Sequence, residues 1–145
     1  MIPQIDETDH RLLTALRENA RAPLATLARK LGLARTTLQA RLDRLETNGT
    51  IAGYTVKLGA PMRAAIRATA LVSIEPRTGA GVLARLKSLP EVEQVHTTSG
   101  RWDLIVLISA PNTQTLDETL DKIAEAKGVK SSESLIHLST KLDRS

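Results

Sequence analysis

The sequence predicts an α+β protein: an N-terminal helix-turn-helix unit closed by a strand, then a ferredoxin-like βαββαβ domain. Three observations carry that reading. Apolar residues recur at helical spacing in three bursts before Gly49, the pattern then turns to strands alternating with helices, and glycine or proline stands at the junctions.

The bursts are Leu12, Leu13 and Leu16; Leu24, Leu27, Ala28 and Leu31; and Leu38, Leu42 and Leu45. Asp6 suits the N-cap of the first helix, Pro23 the opening of the second and Gly49 the C′ position of the third. Only Gly32-Leu33-Ala34 separates the second helix from the third, a tight glycine-containing connection of the kind that joins two helices steeply. A strand-like run over 51–58 closes the unit. Domains are therefore expected at 1–58 and 64–145, with a linker at 59–63 built on Gly59-Ala60-Pro61-Met62.

In the second domain a strand is expected over 67–75, with Ala68, Ala70, Val72 and Ile74 on one face. Val82, Leu83, Leu86 and Leu89 mark a helix, and strands follow over 92–99 and 103–109. Leu116, Leu120, Ile123 and Ala124 mark a second helix, and a last strand lies within 129–142. The order β-α-β-β-α-β is the split βαβ arrangement, with helices on one face of an antiparallel sheet. Leu104-Ile105-Val106-Leu107-Ile108 would present apolar side chains on both faces, so the open face asks for a cover. Pairing with the sheet of a second copy is the simplest one.

Composition narrows the function. Tyr54 and Trp102 are the only aromatic residues, which removes the stacking platforms that bind single-stranded nucleic acid. No apolar run approaches the ~20 residues of a spanning helix. No membrane partner is expected, and the N-terminus lacks a basic, apolar leader, so a cytoplasmic location is expected. Cysteine is absent, and His10, His96 and His137 have no metal-ligand spacing, so neither a metal nor a cofactor is expected. Asp117, Glu118, Asp121 and Glu125 read as the solvated face of their helix. The net charge is +4, and it is unevenly spread. Residues 21–44 hold six basic residues (Arg21, Arg29, Lys30, Arg35, Arg41, Arg44) against one acid, Asp43, which points to an anionic partner for the N-terminal unit.

At about 100° per residue the third helix places Leu38, Leu42 and Leu45 on one stripe, with Thr36, Ala40 and Arg44 opposite, flanked by Arg35, Thr37, Gln39 and Arg41. Small and basic side chains are what a helix needs to enter the major groove of double-stranded DNA. Arg35, Thr36, Thr37, Gln39 and Ala40 would lie nearest the bases, while Arg41 and Arg44, with Arg21 and Lys30, would serve the phosphates. Ala34 offers no side-chain cap to this helix.

Several motifs in order carry a resemblance. They are Ile5-Asp6-x-x-Asp9-x-x-Leu12-Leu13, Leu27-Ala28-x-x-Leu31-Gly32-Leu33, Arg41-Leu42-x-x-Leu45-Glu46-x-x-Gly49-x-Ile51-x-Gly53-Tyr54, and Ser99-Gly100-Arg101-Trp102-Asp103. Together they resemble the Lrp/AsnC family of transcription regulators, over nearly the whole chain. The resemblance implies a winged helix-turn-helix joined to a ferredoxin-like effector and oligomerisation domain, a dimer that commonly assembles as an octamer of four dimers, and a response to amino acids. It also implies an effector site at the Gly100-Arg101-Trp102-Asp103 turn. There Gly100 permits positive φ, and Asp103 offers an acceptor to an ammonium group unless the backbone occupies it. Ser132 and Ser134 stand where the family commonly places a Thr-x-Thr pair. A sequence-specific regulator rather than an enzyme is expected. The rival readings are an enzyme resembling siroheme decarboxylases on the same scaffold and a low-specificity architectural DNA-binding protein.

Overall fold

Asp6 opens the first helix as expected. Its carboxylate accepts from the Asp9 N–H at 2.8 Å, and the Asp9 carboxylate accepts from the Asp6 N–H at 3.0 Å, so the pair satisfies two donors left over at the helix start. The computed structural model describes residues 3–59, 62 and 65–144, and the chain divides into two compact units, 1–57 and 58–145. Of the expected linker, 60, 61 and 63 lie outside the described residues, as does 64.

The first unit holds α1 (Glu7–Glu18), α2 (Leu24–Leu31) and α3 (Arg35–Thr47). Leu12, Ala15, Leu16, Leu27, Ala28, Leu31, Leu38 and Leu45 form its buried core. Gly32 ends α2 at φ +69°, in the left-handed region that a side chain would strain, and this lets the chain turn at once into α3. Over 51–58 the structure departs from expectation, because no strand forms there. A strand needs a neighbour to take its hydrogen bonds, and the rest of this unit is helical. Tyr54 and Val56 stay exposed, with the Tyr54 hydroxyl donating to Glu46 at 2.7 Å.

The second unit follows the expected order: β1 (Ile66–Ile74), α4 (Gly79–Lys87), β2 (Val92–Thr97), β3 (Leu104–Ala110), α5 (Thr113–Ala124) and β4 (Val129–Ile136). The strands form one antiparallel sheet in the order β2-β3-β1-β4. Small residues on β1 (Ala68, Ala70, Val72) and larger ones on β3 (Leu104, Val106, Ile108) pack beneath Val82, Leu86, Leu116 and Ile123 of the helices. The other face holds half-buried Ile105, Leu107 and Leu71. Ala124 does not join the apolar face of α5. The helix ends there, and the chain turns so that Ala126 is buried in its place. Thr119 is buried too, its hydroxyl donating to the Thr115 carbonyl at 2.8 Å.

Candidate functional site

Helix α3 presents the expected surface through its first half. Arg35, Thr36, Thr37 and Ala40 are exposed, and Arg35 has no ion-pair partner among the described residues. Gln39 is half-buried and donates one Nε2 hydrogen to Asp43 at 2.7 Å, one turn away, a bond that leaves its second N–H and its Oε1 for a base edge. Ala34 makes no side-chain cap.

The second half of α3 departs from expectation. Arg41 and Arg44 do not stand free on the outward face. Arg41 donates to Asp6 at 2.7 and 2.9 Å and to Asp9 at 2.9 Å, and Arg44 donates to the other oxygen of Asp9. The cause is the acidic start of α1, which lies beside α3 within lateral reach of two long arginines. The Asp9 side chain is wholly buried. Burial by itself would raise its pKa, but the Asp6 N–H and the two guanidiniums outweigh that and hold it at about 2. The Arg41 guanidinium likewise lowers the Asp6 pKa. A signal for this cluster stood in the sequence: Asp9 occupies the apolar stripe of α1 with Leu12 and Leu16, where a carboxylate requires a cation. Lys30 pairs with Glu18 at 3.2 Å on the surface, and Arg21 is exposed.

In the second unit Gly100 has φ +108° and turns the chain between β2 and β3. The Thr98 hydroxyl donates to the Trp102 carbonyl at 2.6 Å and the Thr98 N–H to the Asp103 carbonyl at 3.0 Å, which fix the turn. Asp103 is held by backbone: its N–H donates to Val72 at 2.9 Å, and its carboxylate accepts the Ile74 N–H at 2.8 Å and the Ser73 hydroxyl at 3.4 Å. This carboxylate sits where the register of β1 against β4 shifts, between Ser73 and Ile74, and satisfies the N–H at that irregularity.

Beside the turn lies a depression of about 510 Å³. Leu71 and Ile105 line it from the open face of the sheet, with the end of β2 at Thr97, and Thr98, Ser99, Arg101 and Trp102 of the turn complete it, the Arg101 guanidinium carbon 5.3 Å from the Trp102 ring centroid. Arg101 and Trp102 are thus brought together as expected, but Ser132 and Ser134 are not. They pair with Val72 and Ala70, so they share the helix-covered face, while Glu133 between them pairs with Leu71 on the open face. His96 approaches Gln94 and His137 approaches Thr69, and no cluster of metal-ligating side chains occurs among the described residues.

Known proteins agree with both units. Residues 5–46 match the AsnC-type helix-turn-helix domain, and 67–145 match the Lrp/AsnC ligand binding domain. An uncharacterised HTH-type transcriptional regulator of Pyrococcus horikoshii is 35% identical over 134 residues, covering 88% of this chain and 89% of its own length. The structure of Escherichia coli AsnC superimposes with a TM-score of 0.90 at 25% identity, over 99% of this chain and 98% of the other. The feast or famine regulatory protein of M. tuberculosis, solved in complex with L-methionine, gives a TM-score of 0.85 at 26% identity, over 97% of each chain. Two family models on the two folded units, and relatives aligned along nearly their whole lengths, show that the chain belongs to the Lrp/AsnC family of transcriptional regulators.

Proposed function

We propose that this regulator reads a specific operator in double-stranded DNA through α3 and that a small amino-acid effector, held beside the Gly100 turn, modulates it in the cytoplasm. The observation that carries the DNA reading is the exposed first half of α3, where small side chains surround an unpaired Arg35. Arg35, Thr36, Thr37, Gln39 and Ala40 lie nearest the bases, and Arg21 and Lys30 serve phosphates from the flank. Arg41 and Arg44 brace the helix from the side, on the carboxylates of α1.

The effector reading is supported by the Lrp/AsnC ligand-binding match, by the L-methionine bound to the M. tuberculosis relative, and by the depression next to Gly100. Self-association through the open sheet face supplies two copies of α3, spaced ~34 to 36 Å on successive major grooves of an imperfect palindrome. Four such dimers make the octamer that the family pattern suggests. Fluorescence anisotropy against operator and random duplexes across a salt series tests the reading. Gln39→Ala is expected to narrow the operator preference by about 1 to 3 kcal/mol and leave random-duplex affinity unchanged. Equal affinity for operator and random DNA in the parent would instead fit a packaging protein.

A further inference from the structure

The register lays the open face of the sheet out in rows. His96 on β2 pairs with Ile105, Ile105 with Leu71, and Leu71 with Glu133 on β4. Gln94, Leu107, Thr69 and Leu135 make the next row. In the third, Arg67 lies between Ser109 and His137 and reaches across to Glu93 on β2 at 2.6 Å. Each edge strand therefore carries one histidine and one carboxylate on this face, in opposite order: His96 stands in the first row of β2, where β4 has Glu133. Both are exposed, and Glu133 has no cation beside it among the described residues.

We propose that two copies join their open faces about a two-fold axis running along the strands, so that His96 of each meets Glu133 of the other. The proposal rests on the reading that a second copy covers this face. Such an axis keeps the rows and reverses the strand order, laying β2 over β4 and β3 over β1. Ile105 then meets Leu71 of the second copy, apolar on apolar, and the charged third row meets its like, with Glu93 opposite His137. An axis across the strands would keep the strand order and exchange the rows, which sets the Arg67 guanidinium on Leu71 and strips it of water without a partner. The charge pattern thus selects one of the two ways of pairing aligned sheets.

The pair has a protonation state. Gln94 Oε1 can only accept, so His96 Nε2 donates to it, at 3.1 Å, and a neutral ring presents Nδ1 as an acceptor. Nδ1 donates to a carboxylate only once the ring is charged, so the pair strengthens as pH falls through the histidine range. The other ionisable groups on or beside the face are placed differently. Arg67 holds Glu93, Asp103 accepts from Ser73 and Ile74, His137 approaches Thr69, and Glu91 and Arg101 lie at its two ends.

Charge exchange between separately purified full-length chains, followed by analytical ultracentrifugation, tests the pairing. His96→Glu alone sets carboxylate on carboxylate twice per dimer, and Glu133→Lys alone sets cation against imidazole twice, so each is expected to dissociate about tenfold more readily than the parent. Mixed, the two restore one Glu–Lys and one His–Glu pair, and the mixed dimer is expected to recover the parent's affinity. The parent itself is expected to dimerise several-fold more tightly at about pH 6 than at about pH 8, and His96→Gln to lose most of that change. A mixture no tighter than its separate components, or dimerisation of the parent that weakens at about pH 6, overturns the pairing. Melting curves check the fold of each variant, and the pH series on the parent decides if one fails to fold. Leu107→Asp separates the two levels: if it is monomeric while both charge variants dimerise like the parent, the open face is the interface and the pairing is wrong. If Leu107→Asp still dimerises, the second copy sits elsewhere and both fall.

Discussion

Asp9 is a fully buried carboxylate on the apolar stripe of α1, and two arginines from α3 make it tolerable there. Asp9→Asn keeps the size and a capping acceptor but removes the charge, so Arg44 loses its partner and Arg41 keeps only Asp6. Stability is expected to fall by about 2 to 3 kcal/mol, read by urea unfolding. The pH dependence has a definite sign. With a folded pKa of about 2, below the usual 3.8, the stabilisation from Asp9 is complete above about pH 4 and is lost as pH falls from there through about 2. Asp9→Asn should therefore flatten the acid limb of the stability curve. The arginines divide by the same logic. Arg35→Ala should lower the salt slope of DNA binding by about one and spare the melting temperature, because Arg35 is unpaired. Arg44→Ala should do the reverse, lowering the melting temperature and sparing the slope. A melting temperature unchanged in Arg44→Ala would show that its pairing with Asp9 contributes nothing.

Elements were legible wherever periodicity and punctuation agreed. Leu38 and Leu45 fell on the buried face of α3, Gly32 and Gly49 took positive φ at the helix ends, and the five-residue apolar run became β3, buried on one face and half-buried on the other. What could not be read depended on neighbours distant in sequence. Residues 51–58 have strand-like composition but no strand to pair with, Ser132 and Ser134 needed the register against β1 to reveal their face, and Arg41 and Arg44 needed the proximity of α1. One element junction shows how closely such neighbours fit. Gly128 has φ +97°, and a Cβ there would come within 2.6 Å of the Thr78 Cβ, while the Gly128 carbonyl accepts from the Glu75 N–H at 2.7 Å and the Thr78 hydroxyl at 3.2 Å. Thus the start of α4 and the turn before β4 are clamped together. Gly128→Ala combines left-handed strain with overpacking and is expected to cost about 2 to 4 kcal/mol. Gly32→Ala, where no atom lies within 4 Å, is expected to cost only about 1 kcal/mol. Denaturant midpoints of the two variants check the contrast, and equal losses would refute the clamp.

For the whole molecule, the open sheet face decides whether one copy of α3 or two meet the DNA. Adjacent residues of β3 point to opposite faces: Val106 is fully buried against the helices, whereas Leu107 lies half-buried on the open side with Ile105, Leu71 and the exposed Leu135. If a second copy covers that side, Leu107→Asp places a charge in the interface and leaves the core intact. Val106→Asp places one inside the core and should unfold the domain instead. Sedimentation and melting curves recorded together separate the two effects. Leu107→Asp is expected to sediment as a folded monomer, and Val106→Asp to lose its cooperative transition. The monomer should also bind operator about 10² to 10⁴ times more weakly than the parent, because linking two half-site contacts is what raises affinity, while its affinity for an isolated half-site stays the same. A folded Leu107→Asp dimer with undiminished operator affinity would place the interface elsewhere, and the apolar run of β3 would then need a different cover.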